Sequence, residues 1–300
     1  MCRLFGMSGG REPVQATFWL LEAPDSLAQQ SRREPDGTGI GAFTADGSPQ
    51  IAKQPLAAYE DQQFAREARS VISRTFVAHV RYASTGSLSE RNTHPFEQRD
   101  RIFAHNGVIG ELGALERELG DAMALVSGDT DSERFFALIT REIERAEGDV
   151  ARGVERAAGW VAANLPVFAL NFVLITGSEL WAFRYPAVHE LHVLERAAGG
   201  ATGSRHLDHA SARGSIRVRS GALASRPAVV VATEPMDEDA GWRELDSGEL
   251  LHVDADLGVR RRRVLDKPPA HALTLADLDP RAAASQQAES KAEARGSPSA

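Results

Sequence analysis

The side chains of this chain most able to do chemistry are few and scattered: a cysteine at position 2, Arg81 near the end of one apolar run, Asn106 and Gly107 near the end of another, and Asp131 in the acidic stretch GDTDSE. Cys2 is the single cysteine in 300 residues, so no internal disulfide can form and the chain suits a reducing compartment. Removal of Met1, common when the next residue is small, would leave Cys2 with a free thiol and a free α-amine. A model α-amine titrates at about 7.7 to 8.0 and a model thiol at about 8.5. At neutral pH the uncharged fraction of such an amine can take the thiol proton, directly or through water, without help from histidine. The other reading of Cys2 is a small hydrophobe buried in a first strand.

The remaining residues also carry two readings each. In FAHNGVIG, residues 103 to 110, Asn-Gly is a turn dipeptide, and equally a source of two adjacent donors, the Asn106 amide and the Gly107 N–H, suited to an oxyanion. In HVRYASTG, Arg81 fits a structural salt bridge or the bidentate grip of a substrate carboxylate, with Ser84 and Thr85 forming a turn or adding hydroxyl contacts. Asp131 is favoured by the helix dipole at a helix start, and it could also accept a substrate ammonium. Together they supply a nucleophile, an oxyanion hole, a carboxylate binder and an ammonium binder. That inventory fits attack on the side-chain amide of an α-amino acid such as glutamine.

Elements of regular structure must bring these residues together. CRLFGMSG reads as a first strand, and TFVAHVRYA and RIFAHNGVIG as central strands. GTGIGAFTADGSPQIAKQPL reads as a hairpin turning at Ala45, Asp46 and Gly47. TDSERFFALITREIERAEG is the clearest helix: Phe135, Ile139 and Ile143 recur every four residues, and Thr130 and Glu133 predict a capping box at its start. VAANLPVFALNFVLITG, interrupted by Asn164, Pro166 and Asn171, reads as a helix end and a buried strand, too short for a membrane span. Strands near both ends with helices between them predict an α+β architecture with helices covering sheet faces.

Composition narrows the class. A hydrophobic share of 42% and a charged share of 25% are those of an ordinary globular protein, and the net charge of −8 argues against nucleic acid as the main partner. The run Arg260 to Arg263 reads as a solvated strand edge or turn. No secretory signal is visible, so the expected location is cytoplasmic, with no membrane partner. A single domain is expected over residues 2–277. Residues 278–300 lack aromatic and β-branched side chains and are expected to form a disordered tail.

These motifs resemble those of the class II glutamine amidotransferases, whose glutaminase domain belongs to the N-terminal nucleophile hydrolases. MCRLFG resembles the family's start, RYASTG its R-x-A-[ST]-x-G segment, NTHPF its N-x-HP stretch, HNG its oxyanion segment and TDSE its α-amino-binding segment. The resemblance implies a four-layer αββα sandwich. It implies Cys2 as nucleophile, with Asn106 and Gly107 as oxyanion donors. It also implies Arg81, Ser84, Thr85 and Asp131 at the substrate head group, with Asn92 and His94 in a loop beside the site and His94 counted among the substrate-binding residues. PDGTGIG resembles an early family loop without implying a direct role, and ATEPMDEDAGWRELDSGELLHV resembles the closing part of small stand-alone bacterial members, so the likeness covers about residues 2 to 260.

The expected reaction is hydrolysis of the γ-amide of glutamine or of a γ-glutamyl compound through a Cys2 thioester, with no cofactor and no metal. Ammonia would pass to a separate synthase subunit; alternatively, the chain is a γ-glutamyl hydrolase acting on a thiol-metabolite or amine conjugate. No GxxxxGK or Rossmann fingerprint is present to supply acceptor chemistry. Two other classes compete: a metal-dependent hydrolase built on His206, Asp208 and His209 of SRHLDHA, and a silent scaffold, which the joint presence of Cys2, Arg81, Asn106, Gly107 and Asp131 disfavours.

Overall fold

The computed structural model describes residues 2–32, 36–81, 87–198, 209–210, 217–218 and 226–286. Two sheets lie face to face. The first contains β1 (Arg3–Ser8), β2 (Gly37–Phe43), β3 (Pro49–Gln54), β4 (Thr75–Arg81), β9 (His192–Arg196), β12 (Ala228–Ala232) and β13 (Arg243–Glu244), in the spatial order β13-β9-β12-β1-β4-β2-β3. The second contains β5 (Phe96–Gln98), β6 (Arg101–Ile109), β7 (Pro166–Ile175), β8 (Leu180–Arg184), β14 (Glu249–Val253) and β15 (Val259–Arg263), ordered β15-β14-β8-β7-β6-β5. A short parallel strand, β16 (His271–Ala272), joins the start of β7. β10 (His209–Ala210) and β11 (Arg217–Val218) pair with each other.

Strand alternation explains the layering. In β1, Leu4 enters the core between the sheets, while Phe5 and Met7 point out to a second core. In β6, Ile102 and Ala104 face the first sheet, and Phe103 faces the helices. Gly6 lies on the inner face, where a Cβ would come within 2.7 Å of Val173 Cγ1. Only glycine permits the sheets to approach so closely there. Outside the first sheet lie a π-helical turn at Phe18–Glu22, α1 (Leu27–Gln30) and α2 (Gln62–Ser70); outside the second lie α3 (Leu112–Leu119), α4 (Asp131–Arg145) and α5 (Val150–Asn164). The result is the αββα sandwich.

The expected hairpin forms, with Phe43 opposite Pro49. β15 is an edge strand as well, and its arginines pair by alternation: Arg260 and Arg262 with Asp254 and Glu155, Arg261 and Arg263 with Glu195 and Asp246. Charged side chains on an edge discourage pairing with a second chain.

Two expectations need correction. Thr130 caps α4 by accepting from the Glu133 N–H at 3.2 Å, but the Glu133 carboxylate does not return to Thr130; it takes the N–H groups of Ser127 at 3.1 Å and Gly128 at 2.6 Å, ordering the preceding loop. The expected tail from residue 278 is also partly structured, because Pro280–Gln286 is a helix, α6, with Ala282 and Gln286 buried. Asp279 caps it by accepting from the N–H groups of Arg281 and Ala282, and Pro280 suits the first helical position. Alanine carries almost no side-chain ordering cost, so a missing aromatic does not preclude a short docked helix. Residues 287–300 lie outside the described residues. Among the described residues no helix is long and apolar enough to cross a membrane.

Candidate active site

β1 and β4 pair antiparallel with Arg3 opposite Val80 and Leu4 opposite His79, so Cys2, one step before the strand, comes opposite Arg81, the last residue of β4. Period-2 alternation places Cys2 on the inner face with Leu4, and Arg81 on the inner face with Val77. Both are buried, at 7% and 4% exposure. Across the sandwich, Asn106 lies on the same face of β6 as Ala104, and its Nδ2 donates to the Cys2 carbonyl at 3.1 Å. One side-chain amide thereby ties the oxyanion candidate of the second sheet to the nucleophile candidate of the first. Asn106 Oδ1 is buried with no hydrogen-bond partner among the described residues.

The start of β1 is held from its other side. Leu4 N–H donates to Thr233 Oγ1 at 2.8 Å, and Arg3 pairs with Glu234 at 2.9 Å, both partners following β12. Thr233 and Glu234 were not singled out from the sequence, although ATEP sits in a segment noted there.

Asp131 opens α4 and is 2% exposed; its Oδ2 accepts the Ile109 N–H at 2.9 Å, which sets the acid against the end of β6. Burial pulls the Arg81 guanidinium below its ordinary value, opposed by the fields of Cys2, Asp36 and Asp131. The structure thus brings Cys2, Arg81, Asn106 and Asp131 into one electrostatic neighbourhood. Asp36 N–H donates to the Arg81 carbonyl at 3.0 Å. Gly107 follows on β6, where a Cβ would come 1.8 Å from the Ala169 carbonyl oxygen of β7. No side chain fits at that position without parting the two strands.

Asn92 staples the loop beside the site. Its Nδ2 donates to Ser87 O, Ser87 Oγ and Asp129 Oδ2, each at 3.2 Å, and its Oδ1 accepts the Asp129 N–H at 2.8 Å. Ser87 O also receives Arg81 Nη1 at 3.5 Å. Asn92→Ala removes this connection between the chain leaving β4 and the approach to α4. The expected cost is about 0.5–1.5 kcal/mol, the net worth of hydrogen bonds whose remaining partners, Ser87 and Asp129, are exposed and can turn to water. An unchanged urea midpoint would contradict it.

His94 is placed in the interior. Its ring lies tilted by 35° against that of His79, centroids 4.2 Å apart, and meets Phe96 edge-on at 4.7 Å, and neither ring nitrogen has a hydrogen-bond partner among the described residues. His105, beside Asn106 on β6, faces α4 instead, with Nδ1 2.9 Å from Ser132 Oγ and Nε2 donating to the Ala169 carbonyl at 3.3 Å. Ser84 and Thr85 lie outside the described residues, as do His206 and Asp208. One polar residue behind the site was not recognised as such: Asn171 pairs with Asn106 in register and donates to the carbonyls of His189 and Glu190. The only signal was Asn171 interrupting an apolar run.

Four buried histidines give the protein a predictable acid sensitivity. Burial pushes His79 down to about 3, His189 to about 4, His94 well below its ordinary value, and His105 down against the opposing field of Asp131. In the unfolded chain these rings titrate near 6.5, so below that pH the unfolded state binds protons the folded state refuses. Stability is therefore full above about pH 7 and declines as pH falls from about 6.5 toward 3, by up to about 1.4 kcal/mol per pH unit per histidine. Denaturant midpoints between pH 7.5 and 5 test this; a flat profile contradicts it.

Comparison with known proteins identifies the scaffold. The model of the class II glutamine amidotransferases matches residues 1–268. The chain belongs to that family. An uncharacterised protein of Methanocaldococcus jannaschii is 30% identical over 260 residues, which cover 84% of this chain and 68% of that one. The γ-glutamyl-hercynylcysteine sulfoxide hydrolase of Mycobacterium tuberculosis is 28% identical over 264 residues, covering 84% of this chain and 93% of that one. Among solved structures, the glutamine phosphoribosylpyrophosphate amidotransferase from B. subtilis superposes with a TM-score of 0.61 at 20% identity, over 89% of this chain. This chain spans only 50% of that amidotransferase, and the likeness concerns the fold. Family membership makes the protein an enzyme of the amidotransferase and hydrolase group, for which glutamine or γ-glutamyl substrates are fitting.

Proposed function

We propose that the protein hydrolyses the γ-amide of glutamine or of a γ-glutamyl compound through a thioester on Cys2, after loss of Met1. The observation that carries this reading is the bond from Asn106 Nδ2 to the Cys2 carbonyl, 3.1 Å across the sandwich, with Arg81 opposite Cys2 in register. Cys2 passes its thiol proton to its own α-amine, and the sulfur attacks the γ-carbonyl carbon. The tetrahedral oxyanion is held by the second hydrogen of Asn106 Nδ2 and by the Gly107 N–H. The ammonium returns its proton to the departing nitrogen, the C–N bond breaks, and a thioester remains. Water then attacks the thioester, the amine takes its proton, and glutamate leaves as the thiol re-forms. Asn106 Oδ1, buried without a donor among the described residues, supplies an acceptor suited to a freed Cys2 amine.

Arg81 binds the substrate carboxylate in this scheme and Asp131 its ammonium, with Ser84 and Thr85 adding hydroxyl contacts. His94 contributes by packing, its ring tilted against His79 and edge-on to Phe96. Coverage of 93% of the mycobacterial hydrolase favours a second version, in which a larger amine leaves and no ammonia is transferred. A separate ammonia-accepting synthase subunit belongs to the first version. Purified protein incubated with glutamine and a panel of γ-glutamyl amides separates the two. Turnover of one amide far above glutamine, with no added partner, selects the hydrolase; release of neither ammonia nor amine from any of them rejects both.

A further inference from the structure

Helix α6 belongs to neither sheet, and the segment leading to it leaves the second sheet after β16, yet the helix is anchored on both flanks of Cys2. On one flank, Arg281 Nη2 lies 3.9 Å from Asp36 Oδ2, and Asp36 N–H is bonded to the carbonyl of Arg81, the residue opposite Cys2. On the other flank, Gln286 Oε1 accepts from His189 Nε2 at 2.7 Å, with Gln286 only 3% exposed. The His189 carbonyl receives Asn171 Nδ2, and Asn171 is the register partner of Asn106, whose own amide is bonded to Cys2. Before the first anchor, Leu273 and Leu278 rest on Val108, Phe168 and Ala169, beside Gly107. Ala282, on the same face of α6 as Gln286, is buried at 2% exposure.

We propose that residues 273–286 form a strap across the entrance to Cys2, and that Gln286 and Arg281 are specificity-determining residues because they hold it shut against bulky substrates. Contacts that hold the helix end of the strap include a neutral hydrogen bond and a long, half-exposed ion pair, while its start is tied down by the β16–β7 pairing and by the Leu273 N–H on the Val167 carbonyl at 2.8 Å. With it closed, small primary amides such as glutamine reach the sulfur, whereas a γ-glutamyl conjugate with a large leaving amine waits for opening. Mutual repulsion between Arg281 and Arg81 favours opening. The statement about substrate size rests on the reaction proposed above; the statement about access does not.

Cys2 is the only thiol in the chain, so alkylation reports on it directly whether or not it is catalytic. The full-length protein and its Gln286→Ala and Arg281→Ala variants are treated with iodoacetamide and, separately, with a fluorescein maleimide. The expected result is a rise of roughly five- to tenfold in the ratio of bulky to small reagent rates for Gln286→Ala, the shift in an opening equilibrium on losing one buried hydrogen bond. A smaller rise is expected for Arg281→Ala, in keeping with a weak exposed pair. The ratio of kcat/KM for a γ-glutamyl anilide over glutamine rises in the same order. Ala282→Glu, which forces a charge into the seat of α6, should reproduce the Gln286→Ala ratio. Equal bulky-to-small ratios in the wild type and all three variants overturn the strap. Altered alkylation ratios with no amide hydrolysed by the wild type would leave the strap standing and reject the reaction.

Discussion

Cys2→Ala is expected to lower amide hydrolysis by about 10⁴-fold or more while leaving the fold and substrate binding intact. Alanine is a stringent replacement. It is small enough for Met1 still to be removed, so the variant keeps the free α-amine and loses only sulfur. Cys2 precedes β1 and contributes its carbonyl, not its side chain, to the bond with Asn106, so that bond survives. Arg81 and Asp131 also remain, and glutamine should still bind, which calorimetry on the variant measures. Activity within tenfold of wild type would mean that the thiol is a core hydrophobe and that another group attacks.

Asn106→Ala should cost about 10²- to 10³-fold in kcat with a much smaller change in KM, the usual effect of losing one oxyanion donor. The split matters because Asn106 also bonds the Cys2 carbonyl, and a purely structural role would appear as lost stability. Asn106→Asp is the sharper companion. It preserves shape but carries an anion toward the developing oxyanion, and should be at least as damaging in kcat. Denaturation midpoints for both variants separate the two roles: wild-type midpoints with collapsed kcat support the oxyanion assignment, and lost stability with kcat preserved in the folded fraction opposes it. Gly107 offers no comparable test, since any Cβ there strikes the Ala169 carbonyl and opens β6 from β7.

Much of the site was legible because its residues end apolar runs. Arg81 closes β4, Asn106 and Gly107 lie toward the end of β6, and Asp131 opens α4, so strand and helix patterns located each of them along the chain. What pattern could not reveal is which strands face one another. β4 and β6 both read as central strands, yet they belong to different sheets, and the site exists only where those sheets meet. That arrangement depends on long-range register and on close contacts such as Gly6 against Val173, neither of which has a local signature. His94 shows the same limit: nothing local says that its ring will lie tilted against His79, two residues before Arg81 on β4. The missed helix α6 shows another, since a docked alanine-rich helix and a solvated tail have the same composition until something such as His189 binds one of its side chains.

The central claim is that sulfur and amine act together on one terminal residue. It is tested most directly by treating the purified protein with the glutamine-analogue electrophile diazo-oxo-norleucine and mapping the adduct by mass. The account predicts a single adduct on a peptide that begins at Cys2, without Met1, and protection by glutamine. An adduct elsewhere, or full activity in protein that still carries Met1, would contradict it.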